Sequence, residues 1–320
     1  MKIFVPISNS KEIKPLAQAG ADEFYFGISL AKSINDVNSL NARPIGTMNL
    51  QLAEAKQAVR EIKSYNKKAF LCLNNRFYSK EQYQLIRKIL RNLDGLDGVI
   101  AADIPMIEFV KKFFPNLEII VSTIAHILNS RAVDFFHSLG ADRFTLPRNL
   151  YFQNIIEILK KYKKYKFEIF VKSEDCWNIG GLCTYTHHIW DSWEEKLNFC
   201  HLMKNKLKDG EGRFIQIKNS KPKRLEPSFL EKRFIIKDCG LCCLFYLNQH
   251  DNNRIFLKFA GREHNLKWKL KDLNFIKRTL SILNREKGEK FDEFRSLVKK
   301  LYRNIYLKDY CHNKRCAYKL

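Results

Sequence analysis

Four cysteines, Cys176, Cys183, Cys200 and Cys239, stand in the pattern C-x6-C-x16-C-x38-C. Four thiolates gathered by loops are a ligand set for an iron–sulfur cluster. Gly180 and Gly181 lie between the first two and let a backbone curl without Cβ clashes. Structural zinc sites instead show two close pairs. A second set has that look: Cys239, Cys242, Cys311 and Cys316 read C-x2-C and C-x4-C, with zinc as the alternative metal. Cys239 cannot easily serve both sets, and Cys243 is a substitute in one of them. The plain alternative is that several of these are packed thiols, because cysteine buries well. Of nine cysteines only Cys72 lies in the first half of the chain, inside an apolar run that marks it as core. Unpaired cysteines so unevenly placed fit metal chemistry in a reducing compartment better than a disulfide framework.

Charge narrows the partners. The 320 residues hold 57 Lys and Arg against 34 Asp and Glu, a net of +23. An anionic polymer such as RNA is the natural counterpart, provided the cations cluster. They do so in KKYKKYK (160–166), where tyrosines interleave, and again over 204–237, which includes KPKR (221–224). Compositional bias toward lysine, spread over a solvated surface, is the alternative. No apolar run is long enough for a secretory signal or a membrane span, so a soluble, cytoplasmic chain is expected. A hydrolase would need a nucleophile with its base, or a metal with an open position. No HExxH pattern is present.

The elements that must position these residues follow a steady rhythm. Apolar runs at 2–7, 22–28, 68–75, 98–103, 117–123, 142–147 and 166–172 alternate with helical patterns at 11–20, 49–65, 79–93, 105–114, 129–139 and 150–161. Spacing near 25 residues is that of βα units in a parallel sheet. An eighth unit comes late, with a strand at 254–261 and a helix at 271–284. The chain therefore reads as α/β, a TIM-barrel-like (β/α)8 domain with a cysteine-rich insertion between strands seven and eight. Residues 1–172 carry units one to seven, 173–253 the basic cysteine-rich insertion, and 254–320 the last unit and a C-terminal helical cap. An open doubly wound sheet is the alternative, but no Gly-rich phosphate loop follows the first strand.

In such barrels the working groups sit where strands end. Tyr25, Asn74, Asn75, Asp103, Ser122, Thr123, Arg148, Lys172 and Arg262 occupy those places. The insertion leaves from strand seven and would hang over the same mouth.

Several stretches resemble the collagenase-like peptidase family U32: AGADEFYFG (19–27), LNARP (40–44), DGVIAAD (97–103), VSTIAHILNS (121–130), LPRNL (146–150), FEIFVKSEDCWNIGGLC (167–183) and LKFAGRE (257–263). Lys172, Ser173 and Glu174 stand where the family signature has His-Gly-Ala. The resemblance implies a TIM-barrel-like domain and a peptidase label that is historical. It also implies a 4Fe-4S cluster on Cys176, Cys183, Cys200 and Cys239, and oxygen-independent hydroxylation of a tRNA or rRNA base or of a quinone precursor. RNA-acting members depend on prephenate, so Arg43, Arg148 and Arg262 become candidates for binding its carboxylates. With Tyr25, Asn41, Asn75 and Asp103 they form the expected substrate-binding set. Some members work in pairs, so a second family member is a possible partner. The alternatives are a collagenase-like hydrolase and a non-catalytic metal-binding subunit.

Overall fold

The computed structural model describes residues 1–29, 40–42, 49–172, 239–262, 264–285, 290–307, 316–318 and 320. Eight parallel strands close into a barrel: β1 (Lys2–Pro6), β2 (Glu23–Phe26), β3 (Lys68–Leu73), β4 (Gly98–Ala101), β5 (Glu118–Val121), β6 (Arg143–Thr145), β7 (Lys166–Lys172) and β8 (Ile255–Phe259). Each pairs with its sequence neighbours, and β8 closes on β1 with Lys2 opposite Phe256. The expected open-sheet alternative is thereby excluded.

Helices cover the outside: α1 (Ile13–Ala19), α2 (Leu52–Ser64), α3 (Lys80–Arg91), α4 (Ile104–Phe113), α5 (Ser130–Ser138), α6 (Phe152–Lys161), α7 (Leu266–Arg285) and α8 (Phe291–Tyr306). Their buried stripes follow helical spacing, as in Ala55, Ala58, Val59 and Ile62 of α2. The outward faces of the strands and these stripes make one continuous core. The α7 helix begins five residues before the expected helix at 271. Its early lysines hid it, but Lys269 is fully buried and donates to Glu12 Oε2 at 2.7 Å. The expected helix from 49 begins instead at Leu52, because Leu50–Gln51 pairs with Ile28–Ser29 as a short parallel ribbon at the top of β2.

The base of the barrel carries a repeated device. Before β2, β4 and β6 the chain reads Gly20-Ala21-Asp22, Gly95-Leu96-Asp97 and Gly140-Ala141-Asp142. Each glycine has positive φ (101°, 85° and 95°), where a side chain would be strained. The middle residue is buried. Each aspartate then accepts the backbone N–H of the preceding odd strand: Ile3 to Asp22 at 2.8 Å, Ala69 to Asp97 at 2.8 Å, and Ile119 to Asp142 at 2.9 Å. Its own N–H donates back to the carbonyl of the same residue. The fourth pair departs from this pattern. Before β8, Arg254 does the anchoring, donating to Tyr162 O and Leu159 O at 2.7 Å each.

Candidate functional site at the barrel mouth

Inward positions of the strands hold two kinds of residue. Phe4, Tyr25, Phe70, Cys72, Ile100 and Ile120 form a small apolar cluster inside the barrel. Cys72 is thus core, as its strand context implied. Beside the cluster is a buried ionic network that the sequence reading missed. Arg143 is fully buried and pairs with Glu23 at 2.5 Å, Glu118 at 3.0 Å and Glu168 at 3.5 Å. Lys258 donates to Glu168 Oε2 at 2.6 Å, and Thr145 donates to the same oxygen at 2.7 Å. Burial holds the Glu23 carboxyl above its ordinary value despite Arg143. Burial acts the same way on Glu118, but Arg143 and Lys166 outweigh it and leave that carboxyl below its usual range. Burial would lower the Arg143 pKa, but Glu23, Glu118 and Glu168 more than offset it. The only trace in the sequence is parity: Glu23, Arg143, Glu168 and Lys258 occupy alternate, inward positions of otherwise apolar strands.

Above this layer the strand ends assemble three expected residues. Arg262 donates to Asn49 Oδ1 at 2.9 Å and to Asn41 Oδ1 at 3.2 Å, and Asn41 donates to Asn49 at 3.3 Å. Tyr25 donates its hydroxyl to Phe259 O at 2.9 Å on the same side of the mouth. Gly27 makes the cluster possible. A Cβ there would overlap Asn49 Oδ1 and lie 2.5 Å from the Arg262 guanidinium. Asn49 was not anticipated, because it lies at the expected start of a helix. On the next strand ends, Asn74 donates to Ser122 Oγ at 3.1 Å and accepts from the Ala42 N–H at 3.3 Å, which ties the 40–42 segment to β3. The Asn75 N–H donates to the Tyr78 hydroxyl oxygen, and its side chain accepts from the Arg76 N–H, which makes it a turn residue. Asp103 caps α4 through the Met106 N–H and accepts the Tyr83 hydroxyl at 2.8 Å. Its carboxylate is engaged in holding the helix. Arg43 lies outside the described residues.

The other side of the mouth belongs to β7. Arg148 lies over the Phe170 ring at 4.2 Å. Lys172, the last residue of β7, pairs antiparallel with Cys239, and Cys239 pairs parallel with Cys316. Gly240 N–H donates to Val171 O, and Ala317 N–H donates to Cys239 O, both at 2.8 Å. The C-terminal segment is fastened further by Tyr318, whose hydroxyl donates to Phe170 O at 2.8 Å. Cys239 and Cys316 are both half-buried. The Lys172 ammonium lies 5.1 Å from the Tyr306 ring, and Tyr306 donates to Asp272. Burial and the carboxylate of Asp272 push the Tyr306 hydroxyl far above its ordinary pKa, so it stays protonated.

The remaining described cysteines differ from Cys239. Cys242 and Cys243 are buried beneath it. Burial pushes the Cys243 thiol well up, which opposes the thiolate form that a metal needs. Among the described residues no group of three or more His, Cys, Asp or Glu is placed to hold a metal ion. Cys176, Cys183, Cys200 and Cys311 lie outside the described residues, as does the basic stretch 204–237.

The basic stretch 160–166 sits at the opposite end of the barrel, between the end of α6 and the start of β7. Its tyrosines are not offered to a ligand. Tyr162 is buried, stacks on Tyr165 at 5.2 Å, and donates to Ser130 O at 2.7 Å.

The model of Peptidase family U32 matches residues 8–314. The chain belongs to this family. The tRNA hydroxylation protein P of Helicobacter pylori is 26% identical over 185 residues, covering 57% of this chain and 42% of that protein. The protein of the same name from Escherichia coli is 27% identical over 192 residues, covering 59% of this chain and 40% of that protein. The matched segment thus spans about two fifths of these relatives. A solved U32 peptidase is 16% identical, covers 82% of this chain and 93% of its own, and superposes with a TM-score of 0.44. Among the described residues no helix is long and apolar enough to cross a membrane.

Proposed function

We propose that this U32 chain acts in oxygen-independent hydroxylation of a tRNA base through a 4Fe-4S cluster on Cys176, Cys183, Cys200 and Cys239. One observation carries the reading. Cys239 returns to the end of β7 and pairs with Lys172, the residue from which the cysteine-rich segment departs. Cys176 follows Lys172 by four residues, and four extended residues reach at most about 14 Å. The first and last members of the quartet are therefore tied to one strand end at the mouth. A half-buried thiol there suits a thiolate ligand, while Cys243 in the core does not. When bound, the cluster supplies one-electron chemistry.

The chain's own residues then have distinct tasks. Arg262 holds Asn41 and Asn49, which flank Arg43 in the sequence. Arg148 and Arg43 bind the carboxylates of an anionic oxygen donor, to which a guanidinium pairs bidentately. RNA is preferred to a quinone precursor because the net charge of +23 rewards a polyanion through counterion release. The names of the relatives point the same way.

The test is anaerobic purification followed by iron, sulfide and zinc analysis with a visible spectrum. Wild type and Cys243→Ala are expected to carry about four irons per chain, the content of a four-cysteine cluster. Cys239→Ser is expected to lose the cluster. A colourless wild-type protein holding zinc, or equal iron in all three, removes the cluster reading. Loss of a hydroxylated nucleoside from total tRNA of a deletion strain, read by mass spectrometry, tests the substrate.

A further inference from the structure

At the base of the barrel, at the opposite end from Cys239 and Cys316, the end of α6 and the turn leading into β8 enclose an open hollow of about 490 Å3. That is within the size range of small-ligand sites. Three cations line it: Lys160 at the end of α6, Lys163 just after it, and Arg254 from the other wall, together with the neutral polar groups of Gln249 and His250. We propose that this hollow binds a phosphate group, and that its source is the backbone of the RNA whose base is treated at the mouth. The choice of RNA rests on the reading above; the phosphate site does not.

Three observations support it. The first is the pairing of the lysines. Lys161 is engaged by Asp134 at 3.4 Å and Lys166 by Glu118 at 2.9 Å. Lys160 and Lys163, which line the hollow, make no ion pair among the described residues and are exposed. Of the three lysines of 160–166 that are in no ion pair among the described residues, Lys160, Lys163 and Lys164, two line the hollow. The second is the treatment of the helix end. A helix C-terminus repels anions, and α6 ends at Lys161 beside the hollow. Arg254, 6% exposed, donates to Leu159 O and Tyr162 O and so covers these carbonyls with a guanidinium. Arg254 makes no ion pair among the described residues, so its charge adds to the field. The third is the state of His250. Burial first, and then the neighbouring charges of Arg254 and Lys160, hold its imidazole below the ordinary pKa. One carboxylate also faces the hollow, Asp251, and it accepts the Asn253 N–H at 2.9 Å in capping the turn.

The consequence is an RNA held at two ends of the barrel, by its target base at the mouth and by its backbone at the base. A short single strand presenting the base alone would reach only the first.

The experiment compares wild type, Lys160→Glu/Lys163→Glu, and Lys88→Glu/Arg91→Glu, which makes the same charge change at the end of α3, also at the base of the barrel but away from the hollow. Binding of folded tRNA is followed by fluorescence anisotropy across a salt series. The first double variant is expected to bind at least tenfold more weakly at low salt, with a salt slope smaller by about two, one per lost phosphate-facing cation. The control is expected to change less than threefold. Inorganic pyrophosphate is titrated in parallel, with the His250 imidazole resonances as the readout. Pyrophosphate shifts in wild type that vanish in the Lys160→Glu/Lys163→Glu protein support the phosphate site even if no RNA binds. In that case the RNA reading falls and a small phosphorylated ligand takes its place. Equal losses in both double variants with no pyrophosphate response at His250 overturn the proposal.

Discussion

Arg143 sits where an uncompensated charge would be most costly. Its guanidinium is fully buried among Glu23, Glu118 and Glu168, and it lies 3.6 Å from the centroid of the Phe256 ring. Removing one partner of a buried ionic group typically costs about 3–5 kcal/mol, because the charges left behind have no solvent to turn to. Arg143→Leu is therefore expected to lose about that much stability at pH 7.5. The pH dependence follows from the directions of the shifts. Glu118 lies below its ordinary value in the folded protein, so its contribution is present above the unfolded pKa and is lost as pH falls through the folded one. Without the guanidinium, burial dominates and the carboxyls rise above their unfolded values. Their contribution is then present at low pH and lost as pH rises. The gap between wild type and Arg143→Leu should narrow on acidification from pH 7.5 to 5, measured by urea unfolding. A gap that is constant across this range would show that the network does not behave as a charge cluster.

The anchoring of the base is a property of elements, because one three-residue device starts three strands. Asp142→Ala leaves the Ile119 N–H without its acceptor, and an unsatisfied buried donor costs about 1–3 kcal/mol. Asp142→Asn keeps a carbonyl acceptor and should lose less. The same series at Asp22 and Asp97 should give similar values that add, because the sites share no partners. A negligible loss at all three positions, by chemical denaturation, would make the repeat ornamental. This level of organisation was legible in the sequence to an unequal degree. The eight strands and their order followed from apolar runs alternating with helical stripes, since burial on both faces leaves that signature. The start of α7 did not, because Lys267, Lys269 and Lys271 read as solvent-facing and only the fold supplies Glu12 to bury Lys269. Arg262 was legible as a strand-end polar residue and Asn41 through the resemblance of LNARP, yet Asn49 was not, since its role depends on a contact between segments more than 200 residues apart. Asp103 shows the opposite error: a carboxylate at a strand end also makes an ordinary helix cap, and here it does. The zinc-type spacing had put Cys239 and Cys316 in one set, and they do pair, but sequence spacing says nothing of the strand end at which they meet.

At the scale of the molecule, the barrel separates two kinds of work. Loops at the carboxyl ends of parallel strands can vary without disturbing the sheet, whereas the opposite end closes it. Here Cys239, Cys316, Arg262 and Lys172 gather at the carboxyl ends, and the Gly-x-Asp anchors and the cationic hollow lie at the other. The two ends are joined by a closed sheet whose interior is filled with rings and ion pairs. Packing of that kind resists continuous deformation. A change at one end that leaves the barrel intact should therefore not be felt at the other. Cys239→Ser is expected to lose iron yet bind folded tRNA within twofold of wild type. Lys160→Glu/Lys163→Glu is expected to lose tRNA affinity yet keep wild-type iron and an unaltered visible spectrum. Melting temperatures of both should stay within a few degrees of the parent, since Lys160 and Lys163 are exposed and Cys239→Ser exchanges a single atom of a half-buried side chain. Loss of both properties in either protein, with the melting temperature retained, would mean that RNA and metal share one site, and the division of the barrel into two working ends would have to be given up.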